Sequence, residues 1–162
     1  MIYEVEGDIM LTRAQVIVHN VAVGDPMTRG VARKLKEAFP AMVEAFQAWC
    51  EETKAEPGDI WLWQAADKTQ IVNLVTHEGD DDPSRVRRPD KIALHRSLRR
   101  LARMVAEERL KSLAMPKLAS GDFGLDWSEV RGMMDSQLGE LVIPVFVYVE
   151  DLEGQVASEP GL

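Results

Sequence analysis

The sequence contains a single cysteine, Cys50. No intrachain disulfide can form, so the fold must rest on its apolar core. Nor is there an apolar run near the roughly 18 residues that a membrane-spanning helix needs. The opening Met1-Ile2-Tyr3-Glu4-Val5-Glu6 has no basic segment followed by an apolar stretch, so it does not read as a secretory signal. Together these absences predict a cytoplasmic protein with no membrane partner. Positive charge is also in deficit: 19 Lys and Arg against 27 Asp and Glu give a net charge of −8. General nucleic-acid binding relies on phosphate neutralisation by cations, and that balance argues against it. No internal repeat or low-complexity tract appears.

What is present suits one globular domain. The chain has 162 residues, 46% hydrophobic and 28% charged, which is enough for one core with a solvated shell. Basic residues do gather in one stretch: Arg85, Arg87, Arg88 and Lys91, then Arg96, Arg99, Arg100 and Arg103. A solvated helix face is the plain reading, and a face for a polyanion is the alternative.

Strand-like and helix-like segments alternate. Tyr3-Glu4-Val5-Glu6 alternates and ends at Gly7-Asp8, as a short edge strand does. Gln15-Val16-Ile17-Val18-His19-Asn20 is rich in β-branched residues and too short for a helix, so it predicts a strand buried on both faces. The apolar positions 31, 32, 35, 38 and 39 fit a helix that Pro40 stops. A second helix is expected from about Ala41 to Glu52. Strands are expected at 60–63 and 70–76, and a strong helix at 91–109. A short buried strand follows at 112–115. Ser128 is placed to cap a helix through about Leu138. Val142 to Val149 reads as a last strand. The pattern predicts helices on both faces of a mixed, mainly parallel sheet. Residues 1–151 read as the domain and 152–162 as a flexible C-terminal tail.

In such sheets, ligands bind beyond the carboxyl ends of the strands. Two loops occupy that position. One runs from His19-Asn20 through Gly24-Asp25-Pro26-Met27-Thr28-Arg29 to Gly30, at a helix start. The other is Ala119-Ser120-Gly121-Asp122-Phe123-Gly124. Glycine lets backbone N–H groups approach phosphate oxygens, and a helix start adds unpaired donors. Two facing loops of this kind suit a diphosphate.

In order and spacing, these segments resemble the macrodomain family over about Ile2 to Asp151. The resemblance rests on Gly7-Asp8-Ile9, Ile17-Val18-His19-Asn20, Gly30-Val31-Ala32, Phe39-Pro40, Pro57-Gly58-Asp59 and Gly121-Asp122-Phe123-Gly124. It implies a three-layer α/β/α fold with ADP-ribose as ligand and no cofactor or metal. On that resemblance Asp8 meets the adenine amine and Ile9 lies beside it. His19 and Asn20 approach the distal ribose. Thr28, Arg29, Gly30, Val31 and Ala32 lie under the diphosphate. Ser120, Gly121, Phe123, Gly124 and Leu125 form the second phosphate loop, with Phe123 as a wall beside the ribose.

Leu74-Val75-Thr76-His77, Pro116-Lys117-Leu118 and Leu125-Asp126-Trp127 look most like the terminal ADP-ribose-protein glycohydrolase branch and its antitoxin relatives that act on ADP-ribosylated DNA. That likeness implies removal of mono-ADP-ribose from modified proteins, first of all from Glu and Asp esters. ADP-ribosylated nucleic acid is a second class of partner, and the domain is expected to act as a monomer. Three positions depart from the branch: His77 stands where it has lysine, Phe123 where it has a catalytic aspartate, and Thr28 where it has glycine. Lysine can attack an anomeric carbon. Histidine is less suited, so Asp122 and His77 become the catalytic candidates, Asp122 by orienting a water. Two alternatives to hydrolysis of the protein ester stay open: an ADP-ribose reader without catalysis, and a phosphatase acting on ADP-ribose 1″-phosphate. Each residue also has a plainer role. Asp8 can cap a turn, Asn20 can end a strand, His19 can be a satisfied buried histidine, and His77 can be an exposed strand end. The run Asp80-Asp81-Asp82 has no regular ligand spacing and reads as a solvated loop.

Overall fold

The central strand is built as its composition requires. Val16, Ile17, Val18 and Val21 are buried on alternate sides, because successive side chains of a strand point to opposite faces. The structure, a computed structural model, describes residues 1–82, 85, 87–121 and 124–162. Among them the order is β1 (Ile2–Gly7), β2 (Val16–Ala22), α1 (Gly30–Ala38), α2 (Pro40–Thr53), β3 (Ile60–Gln64), β4 (Gln70–His77), α3 (Lys91–Glu107), β5 (Leu113–Pro116), α4 (Trp127–Leu138) and β6 (Val145–Asp151). A 3-10 turn, Ile9–Leu11, follows β1.

The sheet order is β1-β6-β5-β2-β4-β3. Every neighbouring pair is parallel except β3 with β4. Val16, Val18, Val72 and Leu74 pack with Leu94, Leu98 and Leu101 of α3 and with Val130 and Met134 of α4. Ile17, Val21, Ile71 and Val75 pack with Leu35 of α1 and with Met42, Val43 and Phe46 of α2. The result is a three-layer α/β/α sandwich. A fully buried leucine such as Leu94, Leu98 or Leu101 contributes about 1.5–3 kcal/mol through loss of water contact. The β2–β4 register sets His19 opposite Asn73, on the face covered by α1 and α2.

Two boundaries differ from the sequence expectation. The N-cap of α4 is Asp126, and Ser128 lies inside the first turn, its hydroxyl donating to the Asp126 carboxylate. The last strand begins at Val145 rather than Val142. Pro144 has no N–H to give a ladder, and Val142 is 90% exposed.

Residues 152–162, read from the sequence as a flexible tail, lie against β1 and the 3-10 turn. Ala157 and Glu159 are buried. The Glu159 carboxylate accepts from Tyr148 Oη (2.9 Å), Arg13 N (2.8 Å) and Thr12 Oγ1. Asp8 N donates to Gln155 O, and Leu152 N to Gly7 O. The tail's Gly and polar residues hide these contacts from a composition reading, because the partners lie far away in sequence.

Candidate ligand site

The β2–α1 loop is held by its own aspartate. Asp25 accepts from Ala22 N (2.9 Å) and Met27 N (2.7 Å), an Asx-type closure. Met27 is fully buried and anchors the loop in the α1–α2 side of the core. Gly30 then opens α1 with φ +56, a conformation that suits a residue without Cβ. Arg29 at the N-cap makes no side-chain cap bond, so it does not occupy the donors of the first turn.

The β5–α4 loop is fastened to β2 across the sheet end. Ala119 N donates to Asn20 Oδ1 (2.9 Å), and Leu125 N donates to Ala119 O (2.7 Å). Gly124 closes the turn through a bond from its N–H to Gly121 O (3.1 Å). A Cβ on Gly124 would lie 2.4 Å from Ala119 O, so only glycine fits. Gly121, with φ +115, is exposed. Arg88 donates to Gly124 O (3.0 Å), tying the loop to the segment before α3.

Two histidines sit below these loops. His19 is 2% exposed, and its Nε2 is 2.6 Å from Asn73 Oδ1. The Asn73 amide nitrogen faces Met42 Sδ, so its oxygen is the group offered to the ring. Burial pushes the His19 pKa from 6.5 down to about 4, against smaller opposing effects of Asn73 and Asp25. The ring is therefore neutral near pH 7, with its proton on Nε2 and a bare lone pair on Nδ1. Nδ1 is buried and has no hydrogen-bond partner among the described residues. His77 ends β4, half-buried, with Nδ1 2.9 Å from Thr76 Oγ1. Burial lowers its pKa below 6.5 as well, with Asp25 opposing.

A cavity of about 330 Å³ opens between the two loops. His19, Asn20, Arg29, Gly30, Val31, Ala32, His77, Ala119, Ser120 and Gly124 line it, together with Arg87, Pro89, Pro116 and Lys117. Three cations and no carboxylate are among the described lining residues, in a chain of net charge −8. Such a lining favours an anion, although Arg87 also pairs with Asp80 (3.2 Å). A second cavity of about 620 Å³ adjoins it, sharing Asn20, Arg29, Ala32, His77 and Arg87. Thr28 lines this second space, as do Asp25, Glu78, Asp80, Asp81 and Asp82. Both volumes fall in the range of small-molecule sites.

The fold thus brings together most of the residues expected from the sequence. Asp8 and Ile9 line neither cavity. Asp8 is 8% exposed, and its carboxylate accepts from Met10 N (3.0 Å) and Gly154 N (2.9 Å). The turn-capping role is the one made directly. Leu125 packs against the α3–α4 core, and Gly121 is in neither lining. Asp122 and Phe123 lie outside the described residues. Arg87 and Pro89 carry no sequence signal that places them at a site, and Lys117 carries one only as part of Pro116-Lys117-Leu118, with no role of its own. Arg87 belongs to a run that reads as a solvated basic face, and nothing local says that Pro89 turns the chain onto the cavity. Among the described residues no group of three or more His, Cys, Asp or Glu is placed to hold a metal. No helix among them is long and apolar enough to cross a membrane.

The family described as Macro domain matches residues 20–134. The chain belongs to the macrodomain family. This macrodomain is 29% identical over 152 residues to a DNA ADP-ribosyl glycohydrolase of Thermus aquaticus, covering 91% of the chain and 41% of the relative. A DNA ADP-ribosyl transferase–DNA ADP-ribosyl glycohydrolase fusion protein of Thermosipho africanus is 28% identical over 90% of the chain and 41% of the relative. The macrodomain therefore spans about two fifths of the length of these curated relatives. Among solved structures, the macrodomain of Thermus aquaticus DarG superposes with a TM-score of 0.79 at 30% identity, covering 92% of this chain and 98% of that one. Thermosipho africanus DarTG in complex with ADP-ribose superposes with a TM-score of 0.81 at 27% identity, covering 96% and 43%.

Proposed function

We propose that this macrodomain binds ADP-ribose in the cation-lined cavity and hydrolyses its link to a DNA base. The observation that carries this is the contrast between the two adjoining cavities. Arg29, Arg87 and Lys117 line the smaller one without a carboxylate, which suits a diphosphate at the helix start and glycine loop. Five acidic residues line the larger one beside three cations, Arg29, Arg85 and Arg87, with Arg87 paired to Asp80 and Arg85 to Asp82. That space suits the neutral, N–H-bearing edge of a nucleobase. A glutamate or aspartate ester is the poorer fit, because acids outnumber cations there by five to three and its leaving carboxylate would gain negative charge beside them. The DNA ADP-ribosyl glycohydrolases of Thermus aquaticus and Thermosipho africanus, to which the chain is similar, support the same choice of carrier.

His77 lines both cavities, so it sits where the sugar-to-base bond would lie. As a neutral imidazole it serves as general base rather than as nucleophile. Water oxygen bonds to the anomeric carbon, and the carbon–nitrogen bond to the base breaks. The bonding pair leaves with the base. His77 takes the water proton and returns it to the departing nitrogen.

Incubation with a single-stranded oligonucleotide carrying ADP-ribose on a base should release free ADP-ribose. A parallel incubation with protein modified on glutamate should release it more slowly. Faster release from the protein would assign the ester. Tight ADP-ribose binding with no release from either would make the domain a reader.

A further inference from the structure

The basic run lies mostly on α3, and the structure shows how it is disposed. From Lys91 to Ala106 the helix holds no acidic residue, although the whole chain carries −8. Ile92, Arg96, Arg99 and Arg103 follow one another at spacings of four, three and four, so they form one stripe along the outer face. All four are exposed, and Ile92 is 69% exposed. Two other cations of the helix are already paired, Lys91 with Glu129 and Arg100 with Asp59. Arg96, Arg99 and Arg103 have no carboxylate partner among the described residues.

The stripe starts within a few residues of the cation-lined cavity. Pro89 lines that cavity and stands three residues before Ile92, a reach of at most about 10 Å of chain. Arg88 is bonded to the glycine loop through Gly124 O. From there the stripe runs along α3 from Ile92 to Arg103 over about 17 Å.

We propose that this face of α3 is the track on which single-stranded DNA lies while its modified base enters the cavity. The inference rests on the function proposed above. A base must leave any stack to reach an enclosed site, which favours a single strand. A single strand offers a row of phosphates to a row of arginines and an apolar base face to Ile92. A solvated face that only keeps the protein soluble has no need to be free of acids or to begin near the cavity.

The test combines three substitutions, Arg96→Gln, Arg99→Gln and Arg103→Gln, in the intact chain. All are exposed and keep helix propensity, and a thermal melt checks the fold. Binding of a fluorescent single-stranded DNA of about 12 nucleotides, a length within the usual range of such sites, is measured against salt. The expected result is a loss of about tenfold or more in affinity at low salt. The salt slope should fall by about 2, since each phosphate contact contributes about 0.7 for single strands. ADP-ribose affinity should stay unchanged, and KM for the modified oligonucleotide should rise with kcat unaltered. An unchanged DNA affinity and slope overturns the track. Equal binding of poly-glutamate by the native protein, lost in the variant, overturns it too, because the partner is then an acidic protein. Failure of the native protein to bind ADP-ribose would instead refute the function on which the track rests.

Discussion

The pH dependence of stability isolates His19. In the folded protein burial holds its pKa at about 4, against 6.5 for a free histidine. Below pH 6.5 the unfolded chain takes a proton that the native ring refuses. A group of this kind gives its full stability above the unfolded pKa and loses it as pH falls towards the folded one. At pH 4.5 the two pKa values imply a loss of about 2–3 kcal/mol relative to pH 7.5 from this one ring. Carboxylates titrate nearby, so the informative quantity is a difference between proteins. The substitution His19→Gln removes the titration while leaving an amide that can donate to Asn73 Oδ1. Urea unfolding of both proteins from pH 7.5 to 4.5 should give curves that converge by about 2–3 kcal/mol at the acid end. Parallel curves would refute a buried neutral His19 and, with it, the bare Nδ1 lone pair.

Other perturbations follow from the same contacts. Replacing Asn20 with alanine strips the acceptor from Ala119 N, a residue 5% exposed. Urea unfolding should show a loss of about 1–3 kcal/mol, and calorimetry should show weaker ADP-ribose binding as the loop detaches from β2. His77→Gln should lower kcat on the modified oligonucleotide about a hundredfold or more while ADP-ribose binding persists. Because the base must be neutral and its pKa lies below 6.5, native activity should be level above about pH 7 and fall in acid. An unaltered kcat in the variant removes His77 from the chemistry. Glu159→Ala frees Tyr148 Oη, Arg13 N and Thr12 Oγ1 together. A thermal melt should record a loss of about 3 kcal/mol from these bonds to a buried carboxylate; no change would mean that the C-terminal segment adds nothing to the domain.

Much of the fold was legible because its signals are local. The β-branched run 16–18 announced β2, and the three-and-four recurrence of Leu94, Leu98 and Leu101 announced α3. Glycines at 30 and 124 marked the two loops that line the cavity. What stayed hidden depends on partners distant in sequence. Asp8 is met by Gly154 N, 146 positions away, so its surroundings cannot be read from Gly7-Asp8-Ile9. Arg87 and Lys117 look like ordinary surface cations until the sheet brings their segments together. The start of β6 turned on Pro144 and the cap of α4 on Asp126, each a single residue that outweighed the apolar or capping pattern beside it. The serine at 128 has a good cap side chain but stands two places too late.

The central claim is that the cavity between Gly30 and Gly124 holds ADP-ribose. Isothermal titration of the native chain with free ADP-ribose tests it most directly. One-to-one binding with a micromolar dissociation constant, weakened by Arg87→Glu, is the predicted result. No binding heat at millimolar ADP-ribose, from a protein whose melt shows it folded, would contradict it.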